Sequence, residues 1–178
     1  RAVVACGGDG TVHAVLQAMV GSHVPMGMVA GGSGDDIAAG LGYPIHDADA
    51  IAAALVASLA SGEERALDVG LARSDDGVER FFLGVLSTGF DSSVNERANG
   101  MRRLAGHRYN IAIARELASF RALDYDVVID GVRERAPGML VSVGNGSRYG
   151  GGMRVCPDAL SDDGLLDVDV PHLRARIF

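Results

Sequence analysis

The apolar positions of this 178-residue chain follow two rhythms, and the change falls near Gly62. Before it, short unbroken apolar runs alternate with helical spacing. The run "AVVAC" predicts a strand buried in a parallel sheet. Beyond the glycine turn that follows it, Val12, Val15, Leu16 and Met19 recur at helical spacing and give one apolar face. Thr11 is the expected N-cap of that helix and Gly21 its stop. "VPMGMVA" predicts a second strand, "GGSGDD" a second glycine turn, and "IAAGLG" a short helix ending before Tyr43-Pro44. "DADAIAAALVASLASG" is an alanine-rich third helix that stops at Gly62. Strand, turn and helix occurring twice imply a right-handed βαβ unit. Both turns then lie at the carboxyl edge of the sheet, where ligands bind in such folds.

After Gly62 the pattern becomes strand-like. "RALDVGLAR", "ERFFLGVLSTGF", "DYDVVIDG", "GMLVSVGNG" and "GLLDVDV" are separated by short turns. One helix interrupts them, "HRYNIAIARELASFRAL", with Tyr109, Ile113, Leu117 and Phe120 on one face. The expected organisation is an α/β domain with a parallel sheet over residues 1–62 and a mostly β domain over residues 63–178. The chain opens directly on a strand and closes on an apolar tail, so the expectation is a piece truncated at both ends.

Composition narrows the function. Hydrophobic residues make up 48% and charged residues 22%, enough apolar side chain for a core. A net charge of -7 argues against nucleic acid as a partner. No apolar run is long enough to span a bilayer and no signal peptide is visible. Cys6 and Cys156 form neither a disulfide framework nor a zinc signature, so a cytoplasmic location is expected. All 16 basic residues are arginine. Phosphate chemistry here must do without the lysine of a Walker A loop.

The first turn, "GGDGT", frees the backbone at Gly7, Gly8 and Gly10 beside a helix N-terminus. That arrangement receives anions. Asp9 in its middle should repel them: a carboxylate about 4 Å from a phosphate oxygen costs about 4 kcal/mol at an effective dielectric of about 20. A helix terminus returns only about 0.3–1 kcal/mol. A divalent cation between Asp9 and a polyphosphate resolves the conflict; helix capping by Asp9 is the alternative. In the second turn Gly31, Gly32 and Gly34 free the backbone and Ser33 offers a hydroxyl. Asp35 is expected to cap the helix and complement its dipole rather than to act in catalysis; for Asp36 capping and catalysis are both open. Near the end, "CPDALSDDGLLDVDV" crowds Asp158, Asp162, Asp163 and Asp167. Asp163-Gly164 signals a two-residue hairpin, and a bound cation would relieve the repulsion. "GNGSRYGGGMR" reads as strand, bulge and turn, with Arg148 and Arg154 as equal candidates to meet phosphate. Asp68 and Asp91 sit at strand ends, as turn caps or as members of a metal network. Arg97, Arg102, Arg103, Arg108, Arg115 and Arg121 cluster in a stretch with few acids. That cluster fits either an anionic membrane surface or a solvated helix face.

Taken in order, "GGDGTVHAV", "PMGMVAGGSGDDIAAGLGYP", "ALDVG", "STGFD" and "YGGGMRVCPDALSDDGLLDV" resemble the diacylglycerol kinase and sphingosine kinase-like lipid kinases, above all the soluble bacterial diacylglycerol kinases. The resemblance implies an N-terminal α/β domain like those of NAD kinase and phosphofructokinase and a C-terminal β-sandwich. It implies ATP on Gly7, Gly8, Asp9, Gly10, Thr11, Val12, His13 and Ser33, with Asp9 catalytic. It also implies Mg²⁺ held by Leu160, Asp163 and Leu165, two of them through backbone carbonyls. The family commonly has Asn-Glu where this chain has His13-Ala14, Asn-Asp where it has Asp35-Asp36, and threonine at Ser33. In the bacterial branch the general base lies on a carboxylate past Phe178; in sphingosine kinase-like relatives the aspartate matching Asp9 is regarded as the base. The expected activity is phosphoryl transfer from ATP to diacylglycerol, with the protein peripherally associated with an anionic membrane and a homodimer admitted. The alternatives are an NAD kinase-like enzyme and a non-catalytic nucleotide- or metal-binding domain.

Overall fold

The computed structural model describes residues 1–89 and 122–170. Two compact units divide the chain: residues Arg1–Val85 with Gly144–Asp167, and Leu86–Val143 with Val168–Phe178. The first unit thus draws on two stretches of sequence, where the sequence reading placed a single boundary after Gly62.

Strand β1 (Val3–Gly7) pairs in parallel with β2 (Met26–Ala30), Val3 opposite Met26 and Gly7 opposite Ala30. Helix α1 (Asp9–Met19) connects them, as the apolar spacing predicts. Val12 and Leu16 are buried and form a core with Ala5, Met28 and Leu83. The helix starts earlier than expected. Gly8 is its N-cap and Asp9 its first residue, while Thr11 lies inside the first turn. Gly8 O accepts from both Thr11 N and Val12 N, so the backbone closes the turn without a side-chain cap. Val20 caps the other end, and Gly21 follows in a left-handed conformation (φ +79°).

Helix α2 (Asp36–Gly40) is one short turn ending ahead of Tyr43-Pro44. Helix α3 (Ala48–Ser61) is capped at Asp47, whose Oδ1 accepts from Asp49 N and Ala50 N, and ends at Gly62 in a left-handed conformation. It packs along β2, yet none of its residues is fully buried; Val56 and Leu59 are exposed. A depression of about 780 Å³ adjoins it, lined in part by Val20, Met26, Leu55, Leu59, Leu67 and Val69.

Strands β3 (Gly70–Arg73) and β4 (Glu79–Phe82) form an antiparallel pair, Gly70 opposite Phe82. A Cβ at Gly70 would run into the Phe82 ring, which explains glycine there. Gln17 of α1 holds this pair by its amide: Nε2 donates to Phe81 O at 2.8 Å and Oε1 accepts from Phe81 N at 3.0 Å. The side chain thereby replaces a missing strand neighbour.

Strand β5 is Val85–Gly89 and β8 is Leu140–Gly144; with β11 (Asp167–Asp169) they make a three-stranded sheet in the order β11-β8-β5. In the second unit, β6 (Leu123–Ile129) and β7 (Val132–Gly138) form a hairpin, Ile129 opposite Val132. Its turn is Asp130-Gly131, with φ of +49° and +83°, the left-handed pair that a two-residue hairpin loop demands. The short strands β9 (Arg148–Tyr149) and β10 (Met153–Arg154) pair across the glycine triplet 150–152. The inserted helix, its arginine cluster and Asp91 lie outside the described residues. Among the described residues no helix is long and apolar enough to cross a membrane.

Candidate functional site

Parallel pairing of β1 with β2 brings the first two glycine turns side by side. They interlock at backbone distance. A Cβ on Gly32 would stand 2.5 Å from Gly8 Cα, and one on Gly8 would stand 2.9 Å from Gly32 Cα. Glycine is therefore required at both positions for contact rather than for a special φ. Gly7 differs: it has φ +152°, and a Cβ there would strike the Thr11 side chain.

The aspartates of this region are bound by main-chain N–H groups. Asp9 Oδ1 accepts from Ile37 N at 2.9 Å. Asp9 is thus tied to the first turn of α2 and does not cap its own helix. Its other oxygen, Oδ2, has no hydrogen-bond donor among the described residues and lies 3.2 Å from the Cβ position of Gly34. Asp35 was expected to cap α2 and occupies the N-cap position, but in a left-handed conformation (φ +55°, ψ +34°) and without a side-chain cap bond. Its carboxylate instead turns back onto Gly32 N, at 2.9 and 3.1 Å. Only 3% exposed, it locks the second glycine turn on itself. Asp36 reaches across the fold: Oδ2 accepts from Gly151 N at 2.7 Å and Oδ1 from Gly152 N at 2.6 Å.

The nucleotide residues implied by the resemblance fall into two groups. Gly7, Gly8 and Asp9 form the turn, and Gly10, Thr11 and His13 are exposed beside it; Val12 is buried in the core and offers only its backbone. Ser33 is exposed on the neighbouring turn, its hydroxyl without a partner among the described residues. Nothing lies within 4 Å of the Cβ direction of Gly10. Open backbone, a hydroxyl and one uncommitted carboxylate oxygen suit a metal-bound polyphosphate.

The acidic loop has a different construction. Asp162 pairs with Arg65 at 2.7 Å, and both side chains are largely exposed. Asp163 Oδ1 accepts from Leu165 N at 3.0 Å, and Gly164 N donates to Asp68 Oδ2 at 2.6 Å. Asp68 is further tied by its own N–H to Ser161 O and by its carbonyl to Asn145 Nδ2, so it does act as a turn cap. Asp163-Gly164 is a turn and not the expected hairpin. Its hydrogen bonds run to Asp68 and Leu165, and no strand pair flanks it. Leu160, Asp163 and Leu165 share this exposed loop. Among the described residues no three His, Cys, Asp or Glu side chains converge to hold a metal. Any cation here would rest on carbonyls and one or two carboxylates.

Arg148 and Arg154, equal in the sequence, differ in place. Arg154 donates to Pro157 O at 2.9 Å and is exposed. The Arg148 side chain is half-buried, and its guanidinium has no hydrogen-bond or ion-pair partner among the described residues. Two contributors were missed by sequence reasoning. One is the Asp36 grip on the glycine triplet. The other is Asn145, wholly buried, donating to Asp68 O and Leu83 O while its Oδ1 has no partner among the described residues. A buried acceptor of that kind is ordinarily met by water.

Residues 1–72 match the family model described as the diacylglycerol kinase catalytic domain, and residues 84–177 the YegS C-terminal NAD kinase beta sandwich-like domain. A diacylglycerol kinase of Mycobacterium tuberculosis (strain ATCC 25618 / H37Rv) is 40% identical over 177 residues, covering 98% of this chain and 56% of that protein. A Klebsiella pneumoniae (strain 342) protein named "Probable lipid kinase YegS-like" is 28% identical over 174 residues, covering 97% of this chain and 54% of the relative. A solved structure from Bacillus anthracis str. Sterne superposes with a TM-score of 0.68 at 26% identity, over 96% of this chain and 56% of that one. Another from the same organism, described as a diacylglycerol kinase, gives 0.65 at 22% identity, over 96% of this chain and 54% of that one, and shows the shared fold. The chain spans a little over half the length of these relatives. With its interlocked glycine turns, its α/β beginning and its sandwich-like continuation, the chain belongs to the diacylglycerol kinase and YegS-like lipid kinase family.

Proposed function

We propose that the intact protein is an ATP-dependent lipid kinase that phosphorylates the primary hydroxyl of diacylglycerol, giving phosphatidic acid. The observation that carries this reading is the state of Asp9. One oxygen is fixed by Ile37 N and the other is uncommitted at the mouth of the glycine turn. A carboxylate held that way is pre-oriented, and pre-orientation is most of what phosphoryl transfer asks of a protein.

The geometry supports the following roles. The backbone at Gly8 and Gly10 and the first turn of α1 accept the phosphate tail, with Thr11, His13 and the Ser33 hydroxyl beside it. The macrodipole of α1 favours the negative charge, and Asp9 Oδ2 faces the same region as the cation partner or proton acceptor. Mg²⁺, when bound, would supply charge neutralisation for which these 178 residues, without lysine, offer no ammonium group. In the reaction the acceptor hydroxyl oxygen forms a bond to the γ-phosphorus. The bond from that phosphorus to the bridging oxygen breaks, ADP leaves with the electron pair, and the hydroxyl proton passes to a base. A second cation at Leu160, Asp163 and Leu165 would have a structural role, and the arginine-rich segment 97–121 would dock on anionic lipid.

The experiment is phosphoryl transfer from radiolabelled ATP by the intact protein to mixed acceptors. Labelled phosphatidic acid supports the reading. Label in phosphatidylglycerol or sphingosine alone changes the substrate, label in a dinucleotide favours an NAD kinase-like enzyme, and no label anywhere contradicts catalysis. Sedimentation with phosphatidylserine vesicles tests the docking: neutralising the six arginines should abolish binding, and undiminished binding removes that part.

A further inference from the structure

The third glycine segment asks for an explanation. Gly150, Gly151 and Gly152 all have positive φ, +66°, +86° and +104°. Space does not require glycine at 151 or 152, because nothing lies within 4 Å of a Cβ built at either. The left-handed backbone requires it, and three glycines in a row lose more conformational freedom on ordering than any other tripeptide. Something must hold them. Two successive main-chain N–H groups of the triplet point at the single carboxylate of Asp36, one on each oxygen, at 2.7 and 2.6 Å. Asp36 is only 7% exposed. A buried carboxylate is costly without donors, and here both oxygens receive them.

The location gives the grip its meaning. The Cβ position of Gly34 lies 3.2 Å from Asp36 Oδ2, 3.2 Å from Asp9 Oδ2 and 3.6 Å from Gly151 N. First turn, second turn and triplet therefore meet at one point. The same interaction also offsets part of the negative potential of Asp36. A second bare carboxylate beside Asp9 would repel a polyphosphate; one wrapped by two N–H dipoles repels it far less.

We propose that Asp36 is a positioning residue for nucleotide binding: by gripping Gly151 N and Gly152 N it seats the 150–152 segment as the third wall of the site formed by the two glycine turns. The inference rests on the kinase reading for its ligand. Its structural half stands apart from that reading.

The test uses the intact protein with Asp36→Asn, nearly isosteric but with an amide NH₂ where one N–H donor now finds an oxygen. Hydrogen exchange is read at the Gly151 and Gly152 amides, with β1 and α1 amides as the internal standard. The expected result is exchange faster by about tenfold or more at the two glycines alone. ATP affinity is measured by calorimetry with Mg²⁺, and KM and kcat with the lipid acceptor. ATP affinity should fall about tenfold and the KM for ATP rise to match, with kcat changed by less than about threefold. Gly151→Ala and Gly152→Ala break the grip from the exposed side, leave Asp36 in place, and should reproduce the same split. Unchanged exchange at both glycines in Asp36→Asn overturns the proposal, as does faster exchange with ATP affinity intact. A protein that binds ATP with this dependence and phosphorylates no lipid contradicts the proposed substrate and upholds the role of Asp36.

Discussion

Two acidic regions of the molecule can be set against each other. Around the glycine turns, Asp35 and Asp36 are 3% and 7% exposed and their carboxylates accept from main-chain N–H groups, as one oxygen of half-buried Asp9 does. In the loop at 158–167, Asp162 and Asp163 stand in solvent with a guanidinium and a local amide for partners. The second region is the denser in sequence; the first is where charge is costly. Crowding of acids along a chain does not locate the electrostatically demanding site, because exposed carboxylates are screened and cheap to keep. Burial with main-chain N–H donors marks a carboxylate on which the local structure depends.

That contrast is breakable in graded steps. The largest effect belongs to the contact between the turns. Gly32→Ala puts a Cβ against both Gly8 Cα and Asp35 Oδ1, and should destabilise by about 3 kcal/mol in urea unfolding. Asp35→Asn, which removes the charge from the Gly32 N acceptor, should cost about 2 kcal/mol by the same measurement. Arg65→Ala and Asp162→Ala, alone or together, should each stay within about 0.5 kcal/mol, since the pair is solvent-exposed. A loss at Arg65 as large as that at Asp35 would erase the distinction between the regions. The smallest expected signal concerns Asp76. The Ser74 hydroxyl bond, aided by Val78 N, holds its carboxyl below the ordinary carboxylate value. A depressed folded pKa stabilises above the unfolded pKa, and the contribution is lost as pH falls through the folded value. Ser74→Ala should move the Asp76 carboxyl titration upward by NMR, with a change in thermal stability too small to resolve at neutral pH.

Much of the first unit was legible because it follows periodicity. The run at β1, the apolar stripe of Val12 and Leu16, and the stop of α3 at Gly62 are local patterns, and the structure follows them. Local pattern failed where backbone hydrogen bonding took precedence over side-chain preference. Thr11 has the better capping side chain, yet Gly8 O closes the first turn of α1, so the helix begins two residues before Thr11 and takes Asp9 and Gly10 inside it. Of the Asp-Gly pairs in the chain, those at 130–131 and 163–164 have opposite outcomes. The first is flanked by two seven-residue strands and makes a hairpin; the second is flanked by loop and is held by Asp68. The grip of Asp36 was not legible, and its side chain does not cap α2: its partners lie 115 and 116 residues away in a segment without any side-chain pattern. The candidate nucleotide residues were reached through family resemblance; spacing alone left Asp9 divided between capping and metal. The geometry removes the capping of α1, since Asp9 Oδ1 takes Ile37 N of α2, and leaves Oδ2 without a donor among the described residues.

The central claim is that Asp9 is tolerated among the glycines because a magnesium-bound polyphosphate uses its second oxygen. Calorimetric titration of the intact protein with ATP, with and without Mg²⁺, for the unaltered protein and Asp9→Asn, tests it most directly. The account predicts binding that requires Mg²⁺ and weakens by about tenfold or more in the variant, with the fold retained. Equal affinity with and without Mg²⁺, unaltered by Asp9→Asn, would contradict it.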